Sequence, residues 1–60
     1  MPVVQIDMLA GRTTEQRRQL VKKVTEALVE TIHCPANAVT VIIRDMDKEH
    51  LGVGGKLSAD

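Results

Sequence analysis

The chain has 60 residues, which is room for one small domain but not for a second core or an internal repeat. Its eight basic and eight acidic residues balance, and it has no Phe, Tyr or Trp, so composition argues against a nucleic-acid-binding protein. Cys34 is the only cysteine, which excludes an internal disulfide. We predict a single domain over residues 1–60, soluble and cytoplasmic, with no membrane segment and no zinc site.

A domain of this size is marginally stable by itself. A chain of this length buries only about 60% of the surface that its unfolded form exposes. Hydrophobic residues make up 43% of the sequence, enough for a patterned core, but neither a disulfide nor a metal reinforces it. We therefore expect a homo-oligomer in which other copies of the chain complete the core.

The first predicted element is a strand over residues 3–8, "VVQIDM", which is rich in β-branched and apolar side chains. Asp7 is expected on the face opposite the apolar set. The period of two places that set on one face: Pro2, Val4, Ile6 and Met8.

A long amphipathic helix is predicted next. Thr13 and Gln16 have the spacing of a capping box, and the apolar pattern continues to about Ile32. His33 is expected to interact with carbonyl groups at the helix end, and Pro35 lies just beyond the end. The predicted apolar stripe comprises Leu20, Val21, Val24, Ala27, Leu28 and Ile32. The predicted polar side comprises mostly Arg17, Lys22, Lys23, Glu26 and Glu30.

A second strand is predicted from Val39 to Arg44. A strand, a long helix and a second strand form a β-α-β unit, so the two strands should be parallel. In the tail, three glycines within "GVGG" suit a bulge, a turn or a short hairpin. One helix covers only one face of such a sheet, and we expect neighbouring subunits to cover the other face and the edges.

Pro2 is an unusual residue to find directly before a strand. Start methionines are commonly removed when the second residue is small, and removal of Met1 would make Pro2 an N-terminal secondary amine. Such amines ordinarily have a pKa of about 7.7 to 8.0 or higher, and burial among apolar side chains with Arg12 nearby would lower it, which suits a general base. The alternative is that Pro2 only permits methionine removal and begins a strand.

Five features occur in order across essentially the whole chain: Pro2, "GRT" at 11–13, "EQ" at the helix start, "VTVII" in the second strand and "GVGG" near the end. This set resembles the 4-oxalocrotonate tautomerase family of small tautomerases with an N-terminal catalytic proline. The resemblance implies an α+β fold: a β-α-β subunit with two parallel strands, one long helix and a short C-terminal hairpin, assembled into a hexamer of three dimers. It also implies a cytoplasmic isomerase of aromatic-compound catabolism with no cofactor and no metal.

The resemblance implies that Pro2 is the general base, moving a proton in small enol or dienol 2-oxo acids such as 2-hydroxymuconate, and that Arg12 binds a substrate carboxylate. Two pocket positions depart from the family pattern. Thr40 stands where a second arginine normally grips the 2-oxo acid end, and Leu51 stands where an aromatic residue is usual. Arg44 lies about 13 Å further along the same strand, too far to replace that arginine within one chain. An arginine from a neighbouring chain stays open.

Two other functions fit the same residues. The missing second arginine suits a non-catalytic or degenerate subunit of an oligomer, and the same proline would also serve a related hydratase, dehalogenase or decarboxylase of small acids. His50 is an alternative base, although a lone histidine in a glycine-rich segment is more often structural or solvated. Cys34 reads as a reduced apolar residue or an exposed thiol, since no histidine and acid are arranged around it.

Overall fold

The computed structural model describes all residues 1–60, and the predicted α+β fold is confirmed. Two strands flank one long helix, and a short antiparallel hairpin follows. Short 3₁₀ turns lie on either side of the second strand, at Ala36–Ala38 and Lys48–His50. No helix combines the length and the apolar character needed to cross a bilayer. The elements are β1 (Val3–Leu9), α1 (Thr14–Ile32), β2 (Thr40–Met46), β3 (Gly52–Val53) and β4 (Lys56–Leu57).

The start of α1 is capped by side-chain hydrogen bonds, whereas its end is not. At the start, the predicted capping box is present, with the Thr13 hydroxyl accepting from the Gln16 N–H at 3.1 Å and the Gln16 amide accepting from the Thr13 N–H at 3.0 Å. At the end, His33 adopts a left-handed conformation with φ 58°. Its side chain takes part in none of the side-chain hydrogen bonds of the chain, so the expected contact with helix-end carbonyls is wrong.

Strands β1 and β2 pair in parallel, as predicted, with Val3 opposite Thr40 and Leu9 opposite Met46. Both ends of β2 differ slightly from their predicted positions. The Val39 N–H is used to close the preceding turn onto the Ala36 carbonyl, so β2 begins one residue later than predicted. The ladder then continues two residues past the predicted end, and the Ala10 N–H donates to the Met46 carbonyl at 2.8 Å.

The sheet has one covered and one uncovered face. Along β1, even-numbered residues are half-buried and odd-numbered residues are mostly exposed, so the even set shares one face, as predicted, and this face lies against α1. Parallel register assigns β2 in the same way, so Val41 and Ile43 face the helix. Four cross-strand pairs lie on the uncovered face: Val3 with Thr40, Gln5 with Ile42, Asp7 with Arg44, and Leu9 with Met46.

The sheet-facing side of α1 is rotated slightly from the predicted stripe. Ala27 and Ile32 are exposed, the latter because it lies at the helix end where the covering sheet stops. Arg17, which was predicted on the polar side, is half-buried instead. The half-buried positions follow an i, i+3, i+4 pattern throughout: Arg17, Leu20, Val21, Val24, Thr25, Leu28 and Val29.

The isolated protomer is a thin slab without a closed core. No residue is fully buried. The accessible surface is 4662 Å², whereas a folded monomer of this size should expose about 3,900 Å². The radius of gyration is 14.4 Å, against about 10 Å for a compact 60-residue domain. These values support the expectation that further copies of the chain complete the core.

The C-terminal hairpin is held together by little more than its own backbone. Gly54 and Gly55 both have positive φ, 62° and 84°, the conformation that a two-residue type I′ turn requires. Val53, in β3, is 72% exposed. A two-stranded hairpin with an exposed apolar side chain is marginal in water, so this segment also needs a surface to pack on.

Candidate active site

Pro2 extends the parallel ladder by one residue at the amino-terminal end of the sheet. Its carbonyl accepts a hydrogen bond from the Thr40 N–H at 3.0 Å, and the residue is half-buried. Proline lacks a backbone N–H, but at this end position the ladder uses only its carbonyl, so no ladder hydrogen bond is lost. Met1 precedes it with 93% of its surface exposed, which leaves the Met1–Pro2 bond in reach of a processing enzyme.

Thr40 lies beside Pro2 through the backbone. It begins β2, is half-buried, and shares the uncovered face of the sheet with Val3. The structure therefore brings two of the four predicted site residues to one end of the sheet. A threonine hydroxyl offers a neutral hydrogen bond there, without the charge and the two-pronged donor set of an arginine.

Arg12 lies in the turn that joins β1 to α1, beyond the carboxyl-terminal end of the sheet. Gly11 makes the turn with φ 124°, a conformation that favours glycine. Arg12 is exposed, and the three ion pairs of the chain all involve other residues. Its guanidinium is therefore an unpaired cation, available to an anionic ligand.

One chain does not bring Pro2 and Arg12 together. The two residues flank β1, whose seven residues alone span about 20 Å from first to last. Leu51 also follows the carboxyl-terminal end of the sheet, five residues after β2, where its carbonyl accepts from the Ser58 N–H at 2.8 Å. The isolated protomer forms no cavity. A site that contains both Pro2 and Arg12 needs two chains.

The basic residues of the chain are also distributed unevenly between the two ends of the sheet. None of the eight lysines and arginines lies between Val24 and Ile43, the stretch that carries the end of α1 and most of β2, and none lies in β1. The amino-terminal end of the sheet therefore has no cation of its own in the adjoining sequence. The arginines gather instead around the start of α1 and the end of β2: Arg12, Arg17, Arg18 and Arg44.

Sequence reasoning missed one contact near Arg12. Arg17 forms an ion pair with Asp45, near the end of β2. Helical periodicity contained the signal, since Arg17 precedes Leu20, Val21 and Val24 at spacings of three, four and seven. The partner was hidden because 28 residues separate it from Arg17 in sequence.

The two other candidates from the sequence remain apart from this arrangement. His50 is exposed at the end of the Lys48–His50 turn, and Cys34 is half-buried between α1 and β2. Neither side chain takes part in a hydrogen bond with another group of the chain. The structure thus joins neither residue to an acid that would activate it.

Comparison with known proteins gives concordant matches. The family model described as tautomerase enzyme matches residues 2–60. A 2-hydroxymuconate tautomerase from Bacillus subtilis is 48% identical over 60 residues, covering 100% of this chain and 97% of the relative. The crystal structure of YwhB, a homologue of 4-oxalocrotonate tautomerase, superposes with a TM-score of 0.95 at 47% identity, covering 98% of this chain and 97% of that one.

A heterohexameric 4-oxalocrotonate tautomerase from Chloroflexus aurantiacus is also similar, with a TM-score of 0.94 and 33% identity over 100% of this chain and 97% of that one. The predicted resemblance is therefore confirmed over the full length, in sequence as well as in fold. The chain belongs to the tautomerase family and is an isomerase.

Proposed function

We propose that this protein is a cofactor-independent tautomerase of small enol and dienol 2-oxo acids, such as 2-hydroxymuconate. The observation that carries the proposal is the full-length similarity to the Bacillus subtilis 2-hydroxymuconate tautomerase, with a family match that begins at Pro2. In this proposal the amine of Pro2 is the general base and Arg12 binds a substrate carboxylate.

The chemistry requires an unprotonated amine at Pro2, which in turn requires removal of Met1. The free amine accepts a proton from the enol hydroxyl of the substrate. The resulting ammonium returns a proton to a carbon further along the conjugated system. Product and substrate are therefore isomers, and the base is restored. Half-burial of Pro2 supports this role, because partial removal of water disfavours the charged form of an amine.

The proposed site is shared between chains, with Pro2 from one copy and Arg12 from another. The separation along β1 supports this, since about 20 Å exceeds the length of a small enol acid. The open core and the unsupported hairpin supply the reason for assembly. We propose a homo-oligomer, built from dimers into a hexamer as in the family, and a single tautomerase domain over the whole chain.

Substrate preference follows from the cations that the site contains. Thr40 supplies one neutral hydrogen bond at the position where a second arginine is expected, and Leu51 replaces an aromatic residue. With Arg12 as the proposed carboxylate ligand, acids with one carboxylate and an apolar remainder should be turned over better than dicarboxylates.

The direct test compares two synthetic chains that differ only in Met1. We expect the chain 2–60 to ketonise phenylenolpyruvate or 2-hydroxymuconate, and the chain 1–60 to be slower by about 100-fold or more, because an amide nitrogen cannot accept the proton. Size-exclusion chromatography should give the same oligomer for both. Equal rates in the two samples would remove Pro2 from the mechanism.

A second candidate is a non-catalytic subunit that works in a mixed assembly. Thr40 favours it, as does the similarity to the heterohexameric tautomerase of Chloroflexus aurantiacus. Under this alternative, the purified processed chain assembles but has no activity on enol acids until a second, different subunit is added. Activity of the pure processed chain would reject this alternative.

A further inference from the structure

The ion pair between Arg17 and Asp45 is the only hydrogen bond that joins side chains from two different elements of the molecule. Every other side-chain hydrogen bond links residues no more than four positions apart, within one helix or turn. The single long-range polar side-chain contact of the chain therefore connects the start of α1, five residues after Arg12, to the end of β2.

The last two residues of β2 hold this turn from both sides. Before the turn, the Ala10 N–H donates to the Met46 carbonyl at 2.8 Å. After the turn, the Arg17 guanidinium binds the Asp45 carboxylate, and the Arg17 N–H donates to the Thr13 carbonyl at 3.1 Å. The segment from Ala10 to Arg17 is thus fixed to one strand end at two points.

Between these two points, Gly11 and Arg12 have little support of their own. Gly11 has open space around it, with no atom within 4 Å of where a Cβ would lie. Arg12 is exposed and belongs to no ion pair of the chain. The place from which the Arg12 side chain projects is therefore set by the anchors on either side.

We propose that Arg17 and Asp45 are positioning residues that fix the direction of Arg12 toward the substrate carboxylate. This inference rests on the proposed function, in which Arg12 binds that carboxylate. The pair touches no substrate itself; it keeps the start of α1 in register with the end of β2. A displacement of about 1 Å of a positioned group can cost about 100-fold in rate, so even a small shift of Arg12 should be detectable in the kinetics.

The alternative is that the pair only stabilises the fold. The two side chains keep 35% and 33% of their surface exposed, and ion pairs in contact with water contribute little to stability. Loss of the pair should therefore disturb substrate binding more than folding. The neighbouring pair of Arg18 and Glu15 provides a matched control, because it lies on the same helical turn, is more exposed, and stays within α1.

The experiment compares Asp45→Asn with Arg18→Gln in the processed enzyme. Asp45→Asn keeps the shape of the side chain and removes its charge. We expect KM for an enol acid to rise about 10-fold with kcat little changed, the pattern of lost substrate binding. Arg18→Gln should keep both constants near those of the wild type. An unchanged KM in Asp45→Asn, with the oligomer intact, would overturn the proposal.

A double-mutant cycle with Arg12→Ala separates positioning from a merely structural role. If Asp45 acts through Arg12, Asp45→Asn adds almost nothing in the Arg12→Ala background, measured at raised enzyme concentration. Full additivity of the two losses would overturn the positioning role alone. Wild-type activity of Arg12→Ala would instead overturn the proposed role of Arg12 itself.

Arg17→Lys provides a second, milder variant in case Asp45→Asn assembles poorly. It keeps the positive charge and loses the planar donor fork, so a smaller rise in KM is expected. This rise should also vanish in the Arg12→Ala background. A rise of the same size in both backgrounds would contradict the proposal independently of the first variant.

Discussion

The two ends of the parallel sheet differ in the charge of their residues. At the amino-terminal end, Pro2 and Thr40 are neutral, and the adjoining stretch from Val24 to Ile43 contains two glutamates and no lysine or arginine. The carboxyl-terminal end carries Arg12 on a turn fixed by hydrogen bonds and by an ion pair. The amino-terminal end offers neutral groups and the carboxyl-terminal end an unpaired cation, and about 20 Å of β1 separates them within one chain, so one small molecule needs two chains to contact both.

The largest effect is expected from removing the free cation at the carboxyl-terminal end. Arg12→Ala should lower kcat/KM for enol acids by about 10²- to 10³-fold, because a charged ligand of the substrate carboxylate is lost. Steady-state kinetics on the processed enzyme measure it, with Arg18→Ala, near the start of α1, as the control arginine. Similar losses in both variants would show that general charge, rather than the position of Arg12, matters.

Subunit mixing tests whether the two ends meet across chains. The unprocessed chain 1–60, in which the Pro2 nitrogen is an amide, and the processed Arg12→Ala enzyme, each expected to have low activity, are unfolded together and allowed to reassemble. If each site takes its proline from one chain and its arginine from another, about a quarter of the sites in a random mixture regain both residues. Activity in the mixture well above that of either parent is the expected result. No recovery in a demonstrably mixed oligomer would place both residues in the same chain.

A charge introduced at the apolar end should sharpen the contrast between substrates. Thr40→Arg is expected to raise kcat/KM for the dicarboxylate 2-hydroxymuconate by about 10- to 100-fold through a charge-assisted hydrogen bond. The monocarboxylate phenylenolpyruvate should gain less. Gln5→Arg, on the same uncovered face but one cross-strand pair along, is the matched control. No gain with Thr40→Arg would indicate that another group already holds the second carboxylate.

The smallest effects concern the two ends of the helix. Thr13→Ala removes the capping box and should lower the free energy of unfolding by about 1 kcal/mol. His33→Gly removes a side chain from a left-handed position and should raise it by about 1 kcal/mol. Urea denaturation at one fixed protein concentration measures both. A loss of stability in His33→Gly would show that the imidazole has a partner in the assembled protein.

The sequence predicted most of the fold because the signals are local. The capping box of Thr13 and Gln16 and the helical spacing of the apolar residues need only neighbouring positions. Parallel pairing of the strands then follows from a helix of 19 residues between them. The separation of Pro2 from Arg12 was not predicted: Arg12 was expected near the Pro2 amine, whereas the parallel topology puts about 20 Å of β1 between the two residues of one chain.

The remaining differences come from contacts that local patterns do not encode. Asp45 lies far from Arg17 in sequence, so the ion pair is invisible until strand and helix are packed. β2 begins one residue later than predicted because the preceding turn uses the Val39 N–H. Strand propensity does not describe this competition between two acceptors for one donor. Which side chains of a second copy lie beside Pro2 depends on the assembly, which a single chain does not specify.

The protomer is a slab, 14 Å across its thinnest dimension and without one fully buried residue. This shape has a consequence for how enzyme activity depends on the concentration of the chain. In the proposed oligomer, folding is completed only when copies meet, so dilution should remove native structure and turnover together. Doubling synthesis of the chain at low abundance should then more than double the catalytic output. A scarce transcript would leave mostly unassembled polypeptide, exposed to proteolysis.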